Sequence, residues 1–529
     1  MSLILRDRGR AFVVDVIPHD FVLAGGGRPA ADVVRAALAP RYTVRPEGRP
    51  RTLRLTWLDT FDWRLHRAGL TLLHSVGSRV SEYTLTSKNG EQLTASAKGL
   101  RWPAQADALP PGPLRARVQP VTWVRALLPT ARAVAVVRHL RVLNEDDKTI
   151  AWLTVNDLSP SGPDAAGLPP TLSVTAVRGY QAQTGRIIGC LTAAGDVTPA
   201  PASPLGSVLA AAGRRPGDYS SKVDVKLTAE MPARCAVQAV LLQLLGTLEA
   251  NVPGTVRDID TEFLHDLRVA VRRTRSAIKL CGDVLPAGVA GAFRGEFKWL
   301  GDVTTPIRDL DVYLLGYDEM AAGLLSATPA ELAPFHDDLA RRRETEQREL
   351  ARALRSRRFL DLTRAWRGAL SGPAPRRGTT AAQLAADRIR RADRQVLRRG
   401  SAITPDSAPE SLHDLRKRCK ELRYLLEFFA SLHDSAIHQQ AVRDLKGLQD
   451  CLGEYQDCQV QQHEIRMFAT QMMAQRDVPV TALLAMGELA GQIALHERRA
   501  RREFAGRFAD FAAAASQERF RALTAGARR

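Results

Sequence analysis

The stretch HDLRVAVRRTRSAIKL, His265 to Leu280, carries four arginines, one lysine and a leading histidine against a single acid. Leu267, Val271 and Ile278 recur in it at helical spacing, so it reads as an α-helix. At about 100° per residue, His265, Arg268, Arg272, Arg275 and Lys279 share an arc of about 80°, beside the apolar stripe. The arrangement has a cost. Like charges at i,i+4, here Arg268–Arg272 and Arg275–Lys279, each disfavour the helix by roughly 0.2–0.5 kcal/mol. A basic ridge kept at that cost points to an anionic partner.

The chain almost repeats the stretch as HDLRKRCKELRYLLEF from His413, at an offset of 148 residues. Asp266 aligns with Asp414, Leu267 with Leu415, Arg268 with Arg416 and Arg275 with Arg423. The offset holds without a gap through Lys298/Lys446, Leu300/Leu448, Asp302/Asp450, Asp309/Asp457 and Val312/Val460. Such self-similarity signals a duplicated helical unit. The expected fold is α+β and multidomain. Its C-terminal part is all-α, two four-helix bundles related by a pseudo-two-fold axis. Its N-terminal part is an antiparallel β-barrel or tunnel-like domain, because residues 1–200 hold short β-like runs such as RTLRLTWLDT and TIAWLTVND between Gly and Pro. The expected divisions are residues 1–200, a linker at 201–224, the helical domain at 225–515 and a tail at 516–529.

The second ridge comprises His413, Arg416, Lys420 and Arg423, with Lys417 and the aromatic Tyr424 beside it. Lys298, Arg308 and Lys446 complete the candidate anion-binding set. Arginine presents a planar fork that matches phosphate oxygens, and two parallel ridges suit a linear polyanion. Salt bridges to Asp302, Asp309, Asp450 and Asp457 are the competing use for these cations. A contrasting stretch, LARRRETEQRELARAL at 339–354, alternates its charges at i,i+4 (Arg342–Glu346, Glu344–Arg348) and reads as ordinary solvated surface.

The whole chain of 529 residues has a formal net charge of +18, which favours polyanionic partners. Its six cysteines form no CxxC pair, so neither a zinc site nor a disulfide framework is expected; Cys281, Cys419 and Cys451 fall on helical core positions. No cofactor is implied. The opening MSLILRDRGRAFVVD has only a short apolar run broken by arginine, and no uninterrupted apolar run of about 18 residues is seen. A cytoplasmic protein without a membrane partner is expected.

FLHDLRVAVRRTRSAIKL, IRDLDV and LHDLRKRCKELRYLLEFF followed by LKGLQDCLGEYQD resemble the paired motifs of the CHAD family, across about residues 225–515. The resemblance implies two four-helix bundles with a basic central channel, binding of inorganic polyphosphate without hydrolysis, and association with polyphosphate granules. The chain departs from the family at TTP, 304–306, where Leu-Gly is usual, which bears on the turn geometry near Arg308. The N-terminal part is similar to the CYTH or triphosphate-tunnel fold, chiefly through WLDTFDWRLHRAGLTL at 57–72. That family's enzymes use an ExExK signature, metal-binding carboxylates and alternating basic residues. Around AFVVDVIPHD no such triplet exists, and only Asp15 stands as a candidate remnant of it. Leu73, Ser75 and Thr86 stand where basic residues are expected, and Ser173 and Thr175 where glutamates are. Without those carboxylates no metal would screen the phosphates, so a degenerate, non-catalytic domain is expected. Arg138 and Arg141 remain candidate anion contacts. Two alternatives stand beside polyphosphate binding. One is nucleic-acid binding through the same ridges, although aromatics for base stacking are only 6% of residues. The other is residual triphosphatase activity.

Overall fold

The computed structural model describes residues 2–7, 10–15, 19–24, 29–39, 41–78, 81–161, 167–201, 203–372, 378–474 and 478–525, with side chains from Phe21 onward. Asp15 and the rest of the side chains around an ExExK position therefore lie outside the described residues. The chain divides into two compact units, Met1–Ser220 and Ser221–Arg529.

The first unit starts with strands β1 (Ser2–Asp7), β2 (Arg10–Asp15) and β3 (His19–Leu23), then helix α1 (Ala30–Leu38). Strand β4 (Thr43–Asp59), the turn-like α2 (Arg64–Arg67), β5 (Leu70–Val76), β6 (Ser81–Ser87) and β7 (Gln92–Ser96) follow. Helix α3 (Pro113–Thr122) leads to β8 (Leu128–Leu143), β9 (Thr149–Pro160) and β10 (Thr171–Ala176). Helix α4 (Gln181–Ala193), β11 (Val197–Pro199) and α5 (Pro204–Ala211) close the unit. β1 and β2 pair only with each other, and the other nine strands form one sheet in the order β11-β3-β10-β9-β8-β4-β5-β6-β7.

The sheet is antiparallel but is not closed, which corrects the expected barrel. Its end strands, β11 and β7, have three and five residues and do not pair with each other. Helices supply the cover that closure would give. Val34 and Leu38 of α1 and Ile187 and Leu191 of α4 pack on Leu153, Val155, Leu172 and Val174. Leu205, Val208 and Leu209 of α5 pack on Trp57, Ala133 and Ala135. Ser173 and Thr175 lie on β10, and Arg138 and Arg141 on β8. Both arginines are paired within the sheet, Arg138 with Asp157 and Arg141 with Glu47 at 2.8 Å.

The second unit is all-α. Its helices are α6 (Ala233–Val256), α7 (Thr261–Cys281), α8 (Val289–Ala322), α9 (Pro329–Arg355) and α10 (Arg357–Leu370). The series continues with α11 (Ala381–Gly400), α12 (Pro409–Phe428), α13 (Ser435–Ala474), α14 (Val480–Ala512) and α15 (Ala514–Ala525). Helix order echoes the sequence repeat, since α6 and α11, and α7 and α12, begin 148 residues apart. Two separate four-helix bundles related by a two-fold axis are nevertheless not found. One core unites buried side chains of both halves, from Leu241 and Leu267 to Leu415, Leu448 and Phe511. A second core joins Leu310 and Tyr313 of α8, Phe335 of α9, Ile465 of α13 and Leu489 of α14. The reason lies in helix length. At 1.5 Å per residue, α8 and α13 run for about 50 and 60 Å, so each crosses from one core to the other. α15 adds Phe520 and Leu523 to the first core, so the helical unit continues past residue 515.

α6 is long and apolar enough by composition to cross a membrane, a run that the sequence reading did not pick out. Val240, Leu241, Leu244 and Leu248 of this helix are buried in the core. A helix that is apolar on most sides is commonly an interior helix. Cys281, Cys419 and Cys451 are buried as expected, and burial pushes the Cys281 and Cys419 thiols up to about 12.

Candidate functional site

α7 starts at Asp260, whose carboxylate accepts from the Glu262 amide at 3.0 Å and the Phe263 amide at 3.3 Å. Leu264, Leu267, Val271 and Ile278 are buried and fix the rotation of the helix. Arg272, Arg275 and Lys279 are thereby left exposed on one side. In α12, buried Leu415, Cys419, Leu422 and Leu426 do the same, leaving Lys417 exposed and Lys420 and Tyr424 half-buried.

These two ridges meet at one cavity of about 550 Å³. It is lined by Arg272, Arg275 and Lys279 of α7, Lys298 of α8, and Lys417, Lys420 and Tyr424 of α12. Arg294 of α8 also lines it and was missed. The i,i+4 like-charge rule that exposed the ridges would have found Arg294 with Lys298. Seven cations thus face one acid, Glu421. Two of the seven are paired: Lys279 with Glu421 at 2.6 Å and Lys298 with Asp302 at 2.7 Å. Arg272, Arg275, Arg294, Lys417 and Lys420 have no ion pair among the described residues. Gly301 makes room for one of them, because a Cβ there would lie 2.7 Å from Arg275 Nη1.

The other candidates do not line this cavity. Arg268 is half-buried and donates through Nη1 to the hydroxyls of Thr304 at 3.0 Å and Thr305 at 2.9 Å. Residues 304–306 are therefore no turn. α8 continues through Pro306, and the threonines receive Arg268 while donating back to the Leu300 and Gly301 carbonyls. Burial brings the Arg268 guanidinium down to about 10 against the pull of Asp309, with Arg272 and Arg308 adding repulsion. Burial also raises the Asp309 carboxyl to about 6, opposed by Arg268 and reinforced by Glu464.

His265 and His413 differ. Burial, then the nearby Arg308 cation, lowers the proton affinity of His265 below its ordinary value. His413 Nδ1 is instead 2.5 Å from Gln456 Oε1, and Gln456 is the repeat counterpart of Arg308. Arg416 pairs with Asp457 at 2.9 Å and Arg423 with Glu427 at 2.8 Å, while Lys446 pairs with Asp450. The competing salt-bridge use is thus real for several predicted cations, Lys279 and Lys298 at the cavity among them, while Arg272, Arg275, Arg294, Lys417 and Lys420 have no ion pair among the described residues. Burial, then Arg416 and Arg272, brings the Lys420 amine down to about 8, which shows how close the two ridges stand. Among the described residues no group of three or more His, Cys, Asp or Glu side chains is placed to hold a metal ion.

The chain is 28% identical over 213 residues to the uncharacterized protein Rv2226 of Mycobacterium tuberculosis, a match covering 39% of this chain and 40% of that protein. It thus aligns with well under two-thirds of that relative's length. Among solved structures it is similar to the CHAD domain from the plant Ricinus communis, with 26% identity, 55% of this chain and 96% of that one covered, and a TM-score of 0.48. A second similarity is to HpAC1 from Hippeastrum, for which a dominant triphosphatase activity is described. There the identity is 14%, coverage 38% of this chain and 99% of that one, and the TM-score 0.26. Residues 239–466, which contain α7, α8 and α12, match the family profile of the CHAD domain.

Proposed function

We propose that the chain binds inorganic polyphosphate, without hydrolysing it, in the basic cavity formed by α7, α8 and α12. One observation carries the reading. Five cations, Arg272, Arg275, Arg294, Lys417 and Lys420, line a single cavity and have no ion pair among the described residues. Guanidinium and ammonium groups left unpaired at such density repel one another, and a polymer with a charge on every phosphate relieves that repulsion along its length. The CHAD match supports polyphosphate as the polymer. Association with polyphosphate granules and a cytoplasmic location belong to the same proposal.

The first unit is proposed to be non-catalytic, on the ground that Leu73, Ser75, Thr86, Ser173 and Thr175 replace charged residues of the CYTH pattern. Release of phosphate from tripolyphosphate with magnesium or manganese would overturn that part.

The binding reading is tested by competition. Labelled polyphosphate bound to the chain is challenged with equal phosphate equivalents of unlabelled polyphosphate, single-stranded DNA or RNA, at a stated ionic strength. Unlabelled polyphosphate is expected to displace the label well ahead of either nucleic acid. Equal displacement would make the ridges a general polyanion surface.

A further inference from the structure

A cavity of about 1060 Å³ opens between α14 and the loop that joins α11 to α12. It shares no lining residue with the ridge cavity. α14 crosses it with HERRARREF, 496–504, which puts four arginines into the five positions 498–502. Their environments differ. Arg499 pairs with Glu503 at 3.0 Å. Arg501 donates to three loop carbonyls, Thr404 at 3.2 Å, Pro405 at 2.9 Å and Ser407 at 2.6 Å. It also lies over the Tyr455 ring at 5.8 Å. Arg501 therefore fixes the loop as a wall of the cavity.

Arg498 and Arg502 remain. They are exposed, one turn apart, line the cavity, and have no ion pair among the described residues. Like charges at i,i+4 disfavour the helix by roughly 0.2–0.5 kcal/mol. The stretch also holds two acids, but Glu503 is taken by Arg499 at 3.0 Å, and Glu497, which lines the cavity, accepts from Gln462 Nε2 at 2.6 Å; no ion pair joins either acid to Arg498 or Arg502 among the described residues. His496 lines the same cavity and offers a further donor. Two forks spaced by one turn match a group with several oxygens and two negative charges. A single carboxylate would leave one cation unmatched.

We propose that this cavity is a second anion site, separate from the ridges, that takes the phosphate group of inorganic phosphate or of a short phosphate oligomer through Arg498 and Arg502. It stands whether or not the ridges bind polyphosphate.

The full chain is treated with phenylglyoxal, with and without tripolyphosphate, and modification of each arginine is followed by peptide mass spectrometry. Arg498 and Arg502 are expected to react severalfold more slowly with ligand. The protection is expected to persist in Arg272→Glu/Lys420→Glu, which disables the ridge cavity. Inorganic phosphate in place of tripolyphosphate tells whether one phosphate suffices, and protection by either probe supports the site. Unchanged rates at both arginines would overturn it. So would protection that vanishes in the ridge variant, or that only long polyphosphate produces, since either would make the cavity an extension of the ridge path. Loss of ridge protection at Arg272 with retained protection at Arg498 would remove the proposed function and leave this one. Because wild-type chain already reports both sites in one digest, the test survives a variant that fails to fold.

Discussion

α9 and the ridge helices α7 and α12 are both rich in arginine, and they use it in opposite ways. On α9, Arg341 and Arg342 bind Asp338 at 2.8 and 2.6 Å. Arg343 bridges Asp258 and the fully buried Asp311, both at 2.7 Å. Arg342 also lies over the Phe468 ring at 5.0 Å. Arg343 thus ties α9 to α8, and Arg342 ties it to α13. The i,i+4 partners that the sequence suggested, Glu346 and Glu344, are not the ones used: Arg342 turns to Asp338, and Arg348 Nε donates to the Glu344 carbonyl at 3.1 Å. On α7 and α12, by contrast, Arg272, Arg275, Lys417 and Lys420 keep their charge for the cavity. Arginine content therefore does not separate the two regions; whether the arginines are matched by acids does.

The comparison breaks first in binding. Arg272→Glu with Lys420→Glu should lower polyphosphate affinity by about 100-fold or more, since charge-assisted contacts contribute roughly 1.5–3 kcal/mol each. Arg342→Glu with Arg348→Glu should leave it unchanged. Polarisation of labelled polyphosphate measures both, and equal losses would mean that net charge alone holds the polymer. Stability should respond the other way round. Arg343→Ala leaves the buried Asp311 carboxylate unpaired and should cost about 3–5 kcal/mol in urea unfolding. Arg275→Ala, an exposed change, should stay within about 0.5 kcal/mol. If both cost the same, α9 and the ridges do not divide structure from binding.

The ridges were legible from sequence because helical periodicity and an ungapped repeat report local rotation, and local rotation is what exposes Arg272 or Lys417. Helix order was legible for the same reason. What sequence did not reveal was long-range. Nothing in α8 or α13 alone shows that a helix of their length passes from one core into another, so two bundles were expected where the cores are shared. Short edge strands covered by helices likewise left open a sheet that strand spacing suggested was closed. Pairing was equally opaque. Thr304 and Thr305 look like a turn next to proline, and only the packing of α7 on α8 shows that they receive Arg268.

The two ridge helices also differ from each other in a way that sharpens the picture. Position 273 is Arg where its repeat counterpart, 421, is Glu; position 279 is Lys where its counterpart, 427, is Glu. Across the α7–α12 contact, Lys279 binds Glu421 at 2.6 Å and Arg273 binds Glu427 at 2.7 Å. The exchange makes α7 a better neighbour for α12 than for a copy of itself, where Arg273 would meet Lys279. Lys279→Glu should cost about 2 kcal/mol in unfolding, less than a fully buried pair because Lys279 is 58% exposed and water screens it. Adding Glu421→Gln should recover part of that loss. No recovery would mean that the acid at 421 answers to Arg418, which it also binds at 2.8 Å.

The smallest expected effect concerns protons. Lys420 is held near 8 chiefly by burial, with Arg416 and Arg272 adding repulsion. A polyanion in the cavity favours the charged amine, so the bound chain holds that proton to higher pH than the free chain does. Affinity should therefore be constant below about pH 7, fall about twofold by pH 8 and about tenfold by pH 9, as free Lys420 loses its proton. Lys420→Arg should flatten that decline, because a guanidinium keeps its charge throughout the range. Lys420→Met should flatten it too, at a lower affinity. A decline of unchanged depth in both variants would place the titrating group elsewhere and remove Lys420 from the contact, while leaving the arginines of α7 in place. The pH profile thus tests Lys420 itself, whose amine burial brings down to about 8.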